Sequence, residues 1–300
     1  MQSICIIGLG TITENYLPGL KRAENLTLAA VCDRDPNAHS RAVFSEYPFY
    51  TDFRQMLETE RPDLAVIATP PATHFEIARQ VMDLGVGVIL EKPAVTRYAD
   101  LVTLAELAKK ADVFFDVMFH WQHAATALAF NRHYDPAGIE GIRISITDPY
   151  CTDGKTIDSA KVALGGTWID SGINALSMIS TWLPMEQVTL TDSQVVRCEA
   201  TGLPCCSRVA LLCDGVPVEI TVDWRHNSRI KQSFLTYRGR TLVLDHTGQR
   251  IVDGGQIIDC MQMPRLIQHY FAYFTAFQNQ SRLQRALRIH KVLFEVNDIL

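Results

Sequence analysis

Short apolar runs alternate with longer amphipathic segments through about the first 118 residues of the chain. The runs are rich in β-branched residues, and the segments between them repeat apolar residues at helical spacing, as in LTLAAVC, VGVILE and HFEIARQVMDLG. Strands separated by helices in this way predict a parallel sheet with helical crossovers. We therefore expect an N-terminal α/β domain over residues 1–118.

The pattern changes from about residue 139, where strands follow one another without helices between them. The runs there are GIRISIT, QVTLTDSQVV, SRVALLC, VPVEITVDW, KQSFLTYR and TLVLD. Closely spaced strands favour a second α/β domain, residues 119–300, with an open and largely antiparallel sheet. One long helical pattern, residues 168–182, lies between its first two strands. Two more helical patterns close the chain, and these can also pack back on the first domain.

Composition and charge narrow the range of partners. The formal net charge of -5 comes from interspersed acidic and basic residues, so we expect no nucleic-acid surface. No apolar run is long enough to span a bilayer, and the start MQSICIIGLG lacks the features of a secretion signal. The eight cysteines form no C-x-x-C pair. These features predict a cytoplasmic protein with reduced thiols, no metal site and a small-molecule ligand.

The first apolar run ends in GLGTIT, which predicts a turn that binds a dinucleotide. Gly8 and Gly10 occupy the first two places of a G-x-G-x-x-G pattern and Thr13 the third, with Thr11 and Ile12 between them. Gly8 permits a tight turn, and Gly10 lets the backbone approach a pyrophosphate at the start of a helical segment. The alternative is a plain glycine turn in a fold of this class.

An acidic residue, Asp33, ends the second apolar run at about the expected separation from these glycines. Its carboxylate would accept hydrogen bonds from the adenosine ribose and repel a 2'-phosphate, which favours NAD over NADP. The neighbouring Arg34 can stack on adenine or offset part of that repulsion. The use of NADP as well as NAD therefore stays open.

The third and fourth apolar runs lead into ATPPATH and EKP, at the edge where open α/β sheets bind their ligands. Pro93 restricts the backbone of Lys92 and so fixes the direction of its side chain. Lys92 is a candidate for acid/base chemistry, although surface lysines are common. His74, at the start of a helical pattern, is also explained as a simple helix cap.

The stretch GGTWIDSGINALSMIS places Asp170 and Asn174 four residues apart in an otherwise apolar helical pattern. That spacing puts both side chains on one face of a helix, as a carboxylate and a carboxamide that could act together. The structural alternative is that Asp170 caps the helix and Asn174 bonds back to a neighbour.

Five segments together resemble, in order, the oxidoreductases related to glucose-fructose oxidoreductase and inositol dehydrogenase (Gfo/Idh/MocA). They are GLGTITENYLPGL, CDRDP, ATPPATHFEIA, VILEKPAV and GGTWIDSGINAL, and the resemblance covers nearly the whole chain. It implies a Rossmann domain followed by an α/β domain, with NAD(P) bound between the substrate domain and the sheet. It also implies a homo-oligomer, because the open C-terminal sheet often forms an interface in this family.

The resemblance further implies roles for single residues. Glu91 is expected near the nicotinamide ribose, and Lys92 and Asp170 are expected to face the substrate. The Lys-Pro peptide is often cis in this family. Three more residues are expected along the cofactor cleft: Thr69, Pro70 and His74.

Asn174 departs from the family, because most members carry histidine there and use an Asp-His pair for the proton. Asparagine takes up no proton near neutral pH, so the base must be Asp170 or Lys92, with Asn174 as an orienting group. The segment IDSGINALS is similar to the corresponding segment of the aldose 1-dehydrogenase branch, the L-arabinose and D-galactose 1-dehydrogenases. Those enzymes oxidise the anomeric hydroxyl of a cyclic sugar.

We therefore predict an NAD(P)-dependent oxidoreductase that transfers a hydride between a sugar or polyol and nicotinamide, with the anomeric carbon of an aldose as one candidate. Two alternatives stay open: a reductase of a keto sugar or imine-type carbonyl compound, and a non-catalytic NAD(P)-binding regulatory protein. Other segments match the aldose branch less well, and three residues in them could contact substrate: Trp121, Asp148 and Lys155. A solvated charge in a loop also explains Lys155 and is favoured over a substrate contact.

Overall fold

The computed structural model describes residues 1–40, 43–277 and 282–300. The chain forms two compact units. The first consists of Met1–Phe119 and His269–Leu287, and the second of His120–Gln268 and Arg288–Leu300. The chain therefore returns to the first unit near its C-terminus before its last residues join the second.

The first unit contains a six-stranded parallel sheet. Its strands are β1 (Gln2–Ile7), β2 (Leu26–Cys32), β3 (Phe49–Tyr50), β4 (Leu64–Ile67), β5 (Gly87–Glu91) and β6 (Phe115–Met118). They lie in the order β3-β2-β1-β4-β5-β6, and every pair is parallel. This is the strand order of a Rossmann domain, and it confirms the predicted parallel sheet. β4 and β5 are buried along their whole length, as expected when both faces are covered.

Helices connect these strands: α1 (Leu17–Leu20), α2 (Phe53–Glu60), α3 (Pro71–Asp83) and α4 (Tyr98–Ala111). The helical segment after the glycine turn differs from a regular α-helix, because a 3₁₀-helix, Thr11–Asn15, precedes the single turn of α1. Pro18 fits in the first turn of α1, where its missing N–H leaves no hydrogen bond unmade.

Residues 269–277 contribute aromatic side chains to the core of the first unit. Tyr16 packs against Tyr270 and Phe274, with ring centroids 4.7 and 5.5 Å apart. Asp116, on β6, is buried and accepts a hydrogen bond from the Arg282 backbone N–H at 3.3 Å. Burial raises the pKa of Asp116 from 3.8 to about 6.

The second unit contains an eight-stranded sheet and a separate two-stranded hairpin. The strands are β7 (Ile139–Thr147), β8 (Cys151–Thr152), β9 (Thr156–Ile157), β10 (Val188–Arg197), β11 (Pro204–Cys213), β12 (Val216–Asp223), β13 (Lys231–Tyr237), β14 (Arg240–Asp245), β15 (Arg250–Asp253) and β16 (Gln256–Asp259). The large sheet has the order β10-β11-β12-β7-β13-β14-β15-β16, and only its β12–β7 pair is parallel. The prediction of a largely antiparallel sheet is confirmed.

The remaining α-helices are α5 (Ala125–His133), α6 (Ile173–Ile179), α7 (Arg265–Thr275) and α8 (Leu283–Asn297). The long helix predicted over residues 168–182 begins with a π-helical turn, Trp168–Gly172, and continues as α6. Trp168 is fully buried, and its Nε1–H donates to the Leu293 carbonyl at 2.9 Å, which anchors this segment. Across the part of the chain that the structure describes, no helix combines the length and apolar character needed to cross a membrane.

Candidate functional site

A cleft of about 560 Å³ lies in the first unit, where the strand order reverses between β1 and β4. Six of the predicted cofactor residues line it: Gly8, Gly10, Asp33, Arg34, Thr69 and Pro70. They follow the carboxyl ends of β1, β2 and β4, the position at which doubly wound sheets bind nucleotides. The volume lies in the range of small-molecule sites.

The two glycines of the first turn differ in what surrounds them. Gly8 has φ +94°, and a Cβ there would lie 2.8 Å from Thr69 N and 2.9 Å from the Ala68 carbonyl carbon. Gly10 has φ -65° and ψ 169°, which any residue can adopt, and a Cβ there would meet no described atom within 4 Å. The fold therefore requires glycine at position 8, whereas at position 10 glycine leaves open the space that a phosphate group would occupy.

The other members of the glycine turn lie outside the lining of the cleft. Thr13, at the third place, is buried and its Oγ1–H donates to the Gly10 carbonyl at 2.7 Å. Thr11 is exposed, whereas Ile12 packs against the core of the unit. Neither Thr11 nor Ile12 is among the residues that line the cleft.

Asp33 connects the end of β2 to the glycine turn. Its Oδ2 accepts the Leu9 backbone N–H at 2.7 Å, and its Oδ1 accepts the Asp35 backbone N–H at 3.0 Å. Both bonds hold the carboxylate at the wall of the cleft. Each carboxylate oxygen has a further lone pair, so the group can still accept from a ribose hydroxyl.

His74 lies in the interior of the unit and does not line the cleft. Its Nε2 is 2.7 Å from the Thr69 carbonyl, and its Nδ1 is 3.2 Å from the carbonyls of both Pro93 and Ala94. The ring thus joins the turn after β4 to the turn after β5. Burial lowers the pKa of His74, although the carbonyl contacts oppose this.

The EKP turn contains the expected cis peptide between Lys92 and Pro93. Glu91 is only 6% exposed, and its Oε1 accepts hydrogen bonds from Tyr16 Oη at 2.6 Å and Tyr270 Oη at 2.8 Å. Its Oε2 accepts the Lys92 backbone N–H at 3.0 Å. Burial raises the pKa of Glu91, and the hydrogen bonds act against that rise. In the structure, the Glu91 carboxylate therefore fixes the backbone that carries Lys92.

Asp170 and Asn174 lie one helical turn apart in the second unit, as their spacing predicts. The Asn174 amide donates to the Asp170 backbone carbonyl at 3.2 Å, and Ser171 Oγ–H donates to Asp170 Oδ2 at 3.3 Å. Asp170 lies within the π-helical turn rather than at a helix cap, whereas Asn174 does bond back to its neighbour. π-Helical turns inside helices occur often at functional sites.

A buried ion pair lies where β7 ends and β13 begins. Lys231 Nζ is 2.6 Å from Asp148 Oδ1, and both side chains are less than a tenth exposed. Burial lowers the pKa of Lys231, and the Asp148 carboxylate opposes this change. The Tyr150 backbone N–H donates to the Asp148 carbonyl at 3.0 Å. Burial raises the pKa of the Tyr150 phenol to about 12, with Asp148 and Asp170 adding to the rise.

Direct contacts connect this ion pair to Asp170. Tyr150 packs against Trp224 with ring centroids 5.2 Å apart. The Trp224 Nε1–H in turn donates to Ser171 Oγ at 3.4 Å, and Ser171 bonds to Asp170. The second unit therefore brings Asp170, Tyr150 and the Lys231–Asp148 pair into one group, which we call the charged cluster.

Two of the three further candidate contacts belong to this region. Asp148 is a member of the charged cluster, and the Trp121 ring lies 5.6 Å, edge to face, from His246. His246 is buried and hydrogen-bonds to the hydroxyls of Thr126 and Ser233; burial lowers its pKa to about 3. Lys155 is exposed in the turn between β8 and β9.

Sequence reasoning did not identify Lys231 or Tyr150. Lys231 is the first residue of β13, and only the pairing of β13 with β7 brings it beside Asp148, 83 residues earlier. A basic residue at the start of an apolar strand is a weak signal by itself. Within the described residues, no group of His, Cys, Asp and Glu side chains has an arrangement that could hold a metal ion.

The cleft and strand order define the first unit as a Rossmann domain of the dinucleotide-binding class, and a comparison with known families agrees. Residues 3–119 match the model of the GFO_IDH_MocA oxidoreductase family, which has an NAD-binding Rossmann fold. An uncharacterized oxidoreductase of Synechocystis sp. is 28% identical over 134 residues, which are 42% of this chain and 36% of that relative. The match thus spans about a third of the length of the relative. The similarity to a family with an NAD-binding Rossmann fold therefore covers residues 3–119, all of which lie in the first unit.

Solved structures share the fold across nearly the whole chain. A dehydrogenase (MviM) from Clostridium difficile matches with a TM-score of 0.81 at 17% identity, covering 100% of this chain and 99% of that one. An oxidoreductase from Agrobacterium radiobacter, solved with NAD+, L-tartaric acid and magnesium, matches with a TM-score of 0.81 at 16% identity, covering 98% and 94%. At these identities the similarity shows the shared α/β fold alone.

Proposed function

We propose that the protein is an NAD-dependent dehydrogenase that oxidises a CH–OH group of a sugar or polyol. One observation carries this proposal: the open space at Gly10 faces a cleft whose walls include Asp33, Thr69 and Pro70. These residues fit a dinucleotide, because Gly10 admits a phosphate and Asp33 offers acceptors for a ribose. When bound, the nicotinamide ring of NAD supplies the hydride acceptor.

The chain's own residues would handle the hydroxyl proton. Lys92 and Asp170 are the groups we propose for this step, and Asn174 would orient the substrate through its carboxamide. The Lys92 backbone N–H donates to the Glu91 carboxylate, which Tyr16 and Tyr270 hold in place. These bonds support the role of Lys92, because they fix the chain that carries its ammonium group. The Asn174 amide uses one hydrogen on the Asp170 carbonyl and keeps its oxygen and second hydrogen for a ligand.

The preferred cofactor is proposed to be NAD rather than NADP. Asp33 is fixed by two backbone N–H groups at the wall of the cleft, where its charge would repel a 2'-phosphate. Arg34 also lines the cleft and can lessen this discrimination, so some binding of NADP is compatible with the proposal.

The anomeric carbon of an aldose is the proposed site of oxidation, on the similarity of IDSGINALS to the aldose 1-dehydrogenase segment. The same residues would also serve reduction of a keto sugar or an imine-type carbonyl compound, which is the reverse reaction. A regulatory protein that binds NAD without turnover is the other candidate, favoured by one observation: the Asn174 amide already bonds to its own helix.

We further propose a homo-oligomer formed through the open face of the large sheet. On β11 buried and exposed residues alternate, so one face of the sheet is available for contact. Light scattering coupled to size-exclusion chromatography should give a mass that is a multiple of the 33.7 kDa chain. A monomer at micromolar concentration would contradict this part of the proposal.

An assay of NADH formation tests the main proposal. The protein is incubated with NAD and a panel of aldoses and polyols, and with NADP in parallel. The proposal predicts turnover of at least one sugar, faster with NAD. Lys92→Ala and Asp170→Ala should each remove most of that turnover and leave NAD affinity nearly unchanged, because neither residue lines the pyrophosphate cleft.

A further inference from the structure

Arg265, the first residue of α7, has a partly buried guanidinium in the second unit. The guanidinium carbon lies 5.5 Å from the centroid of the Trp121 ring, a stacking arrangement that arginine favours. Its Nη1 is enclosed, and among the described residues it has no hydrogen-bond partner. An enclosed N–H without a partner is costly, so native proteins seldom keep one that serves only the fold.

The charges around Arg265 leave an excess of positive charge. Arg229 and Lys231 are its cationic neighbours. Two carboxylates lie in the same region: Asp148, which acts on Arg265, and Asp170, which acts on Lys231. The carboxylate that favours the charged form of Arg265 is Asp148, and Lys231 already binds it at 2.6 Å. The three cations, Arg229, Lys231 and Arg265, therefore outnumber the two carboxylates.

We propose that Arg265 binds an anionic group, a carboxylate or a phosphate, on the sugar-like substrate. This inference rests on the proposed function, because it names the substrate class of the same site. The planar guanidinium can bind two oxygens of either group at once. Asp148, which acts on Arg265, belongs with Asp170 to the charged cluster, so one small molecule can reach both Arg265 and Asp170.

Matched sugars test the inference through kinetics. Each hexose of the gluco and galacto series is compared with its uronate and its 6-phosphate, which differ only at carbon 6. We expect kcat/KM for an anionic sugar to exceed that of the neutral hexose by about tenfold or more. If kcat/KM for the uronates depends more strongly on Arg265, the group that Arg265 binds is a carboxylate. If kcat/KM for the 6-phosphates does, it is a phosphate.

Variants of Arg265 separate binding from general damage. Arg265→Gln should lower kcat/KM for the anionic sugar by about ten- to a hundredfold and change that for the neutral hexose by less than about threefold. Arg265→Lys keeps the charge without the planar guanidinium, so its kcat/KM for the anionic sugar should lie between those of the wild type and Arg265→Gln. The matched control is Arg240→Gln, which removes an exposed arginine paired with Asp253 at 3.0 Å and should change neither series.

Thermal unfolding with saturating NAD provides a readout that needs no turnover. Hexuronates or hexose 6-phosphates should raise the Tm of the wild type saturably, and Arg265→Gln should lose this rise while keeping its Tm without sugar. Anionic sugars that bind through Arg265 but are not oxidised would support the inference and contradict the proposed reaction. The opposite result is that neutral hexoses are oxidised equally by the wild type and Arg265→Gln, and that neither uronates nor 6-phosphates raise the Tm saturably. That result would overturn the inference and leave the proposed reaction standing.

Discussion

Replacing each glycine of the first turn with alanine should separate the requirements of the fold from those of the cofactor. In Gly8→Ala the new residue must adopt φ +94°, which costs about 1–3 kcal/mol. Its Cβ would also lie 2.8 Å from a backbone nitrogen, which cannot turn away as a flexible side chain can. We expect a total loss of about 3 kcal/mol or more, a large part of the 5–15 kcal/mol that is typical of a folded domain.

Gly10→Ala should leave stability nearly unchanged and weaken the binding of NAD. Its backbone conformation suits alanine and its Cβ would meet no described atom, so the free energy of unfolding should change by less than about 0.5 kcal/mol or rise slightly. The methyl group would project into space that the pyrophosphate needs. We expect NAD to bind about tenfold more weakly or worse, a loss of about 1.4 kcal/mol or more of binding free energy.

Two spectroscopic probes, taken together, can distinguish unfolding of the first unit from unfolding of the second during urea titration. All four tryptophans, Trp121, Trp168, Trp182 and Trp224, lie in the second unit, so their fluorescence reports on that unit. Far-UV circular dichroism reports on both units, and calorimetry gives the affinity for NAD. If the two substitutions destabilise the protein equally, or if Gly10→Ala binds NAD as tightly as the wild type, then Gly8 and Gly10 do not have the separate roles given to them here.

Three further predictions concern single side chains. Because the pKa of Asp116 is raised from 3.8 to about 6 in the folded protein, its contribution to stability is fully present below about pH 4 and is lost as the pH rises through about 6. The free energy of unfolding should therefore fall by about 3 kcal/mol between about pH 4 and pH 6, and Asp116→Asn should reduce this fall in urea titrations run at several pH values. If the variant shows the same dependence on pH as the wild type, other groups cause the fall. Asp33→Ser should shift the ratio of Kd values toward NADP, and a wild type that strongly prefers NADP would contradict the role given to Asp33. Asn174→Ala should lower kcat/KM by about ten- to a hundredfold without changing the shape of the pH profile, and a variant equal to wild type in rate and substrate choice would make Asn174 purely structural.

Much of the fold could be predicted because its strands have local signatures. The run LTLAAVC coincides with β2, and strands that helices cover on both faces read as continuous apolar stretches. The strands that sequence reasoning missed are short: β3 and the β8–β9 hairpin strands have two residues each, and β15 and β16 have four. Segments of that length contain too few residues to show a period.

The cleft of the first unit could be predicted for a related reason. Gly8 and Asp33 follow their strands directly, and Thr69 comes two residues after the end of β4. Parallel strands bring their carboxyl ends to one edge. The partners of Glu91 could not be predicted in this way. Tyr270 lies 179 residues further along the chain, and only the packing of its helix brings its hydroxyl to the carboxylate.

The same limit applies to the charged cluster. Asp148 was a candidate because of its segment, but its partner Lys231 depends on the pairing of distant strands. His74 shows a different limit, because the sequence indicated its position near the start of a helix but not that both ring nitrogens face backbone carbonyls, away from the cleft. Side-chain direction at a turn is set by tertiary packing, which periodicity does not encode.

Steady-state formation of NADH by the wild type, Lys92→Ala and Asp170→Ala tests the central claim most directly. The assay uses neutral and anionic sugars with NAD, and calorimetry measures NAD binding in the same preparations. We expect turnover by the wild type and its near-complete loss in both variants. The NAD affinities of the three proteins should lie within about twofold of one another. Tight NAD binding by the wild type without turnover of any sugar, in either direction, would contradict the account and identify a dinucleotide-binding protein without dehydrogenase activity.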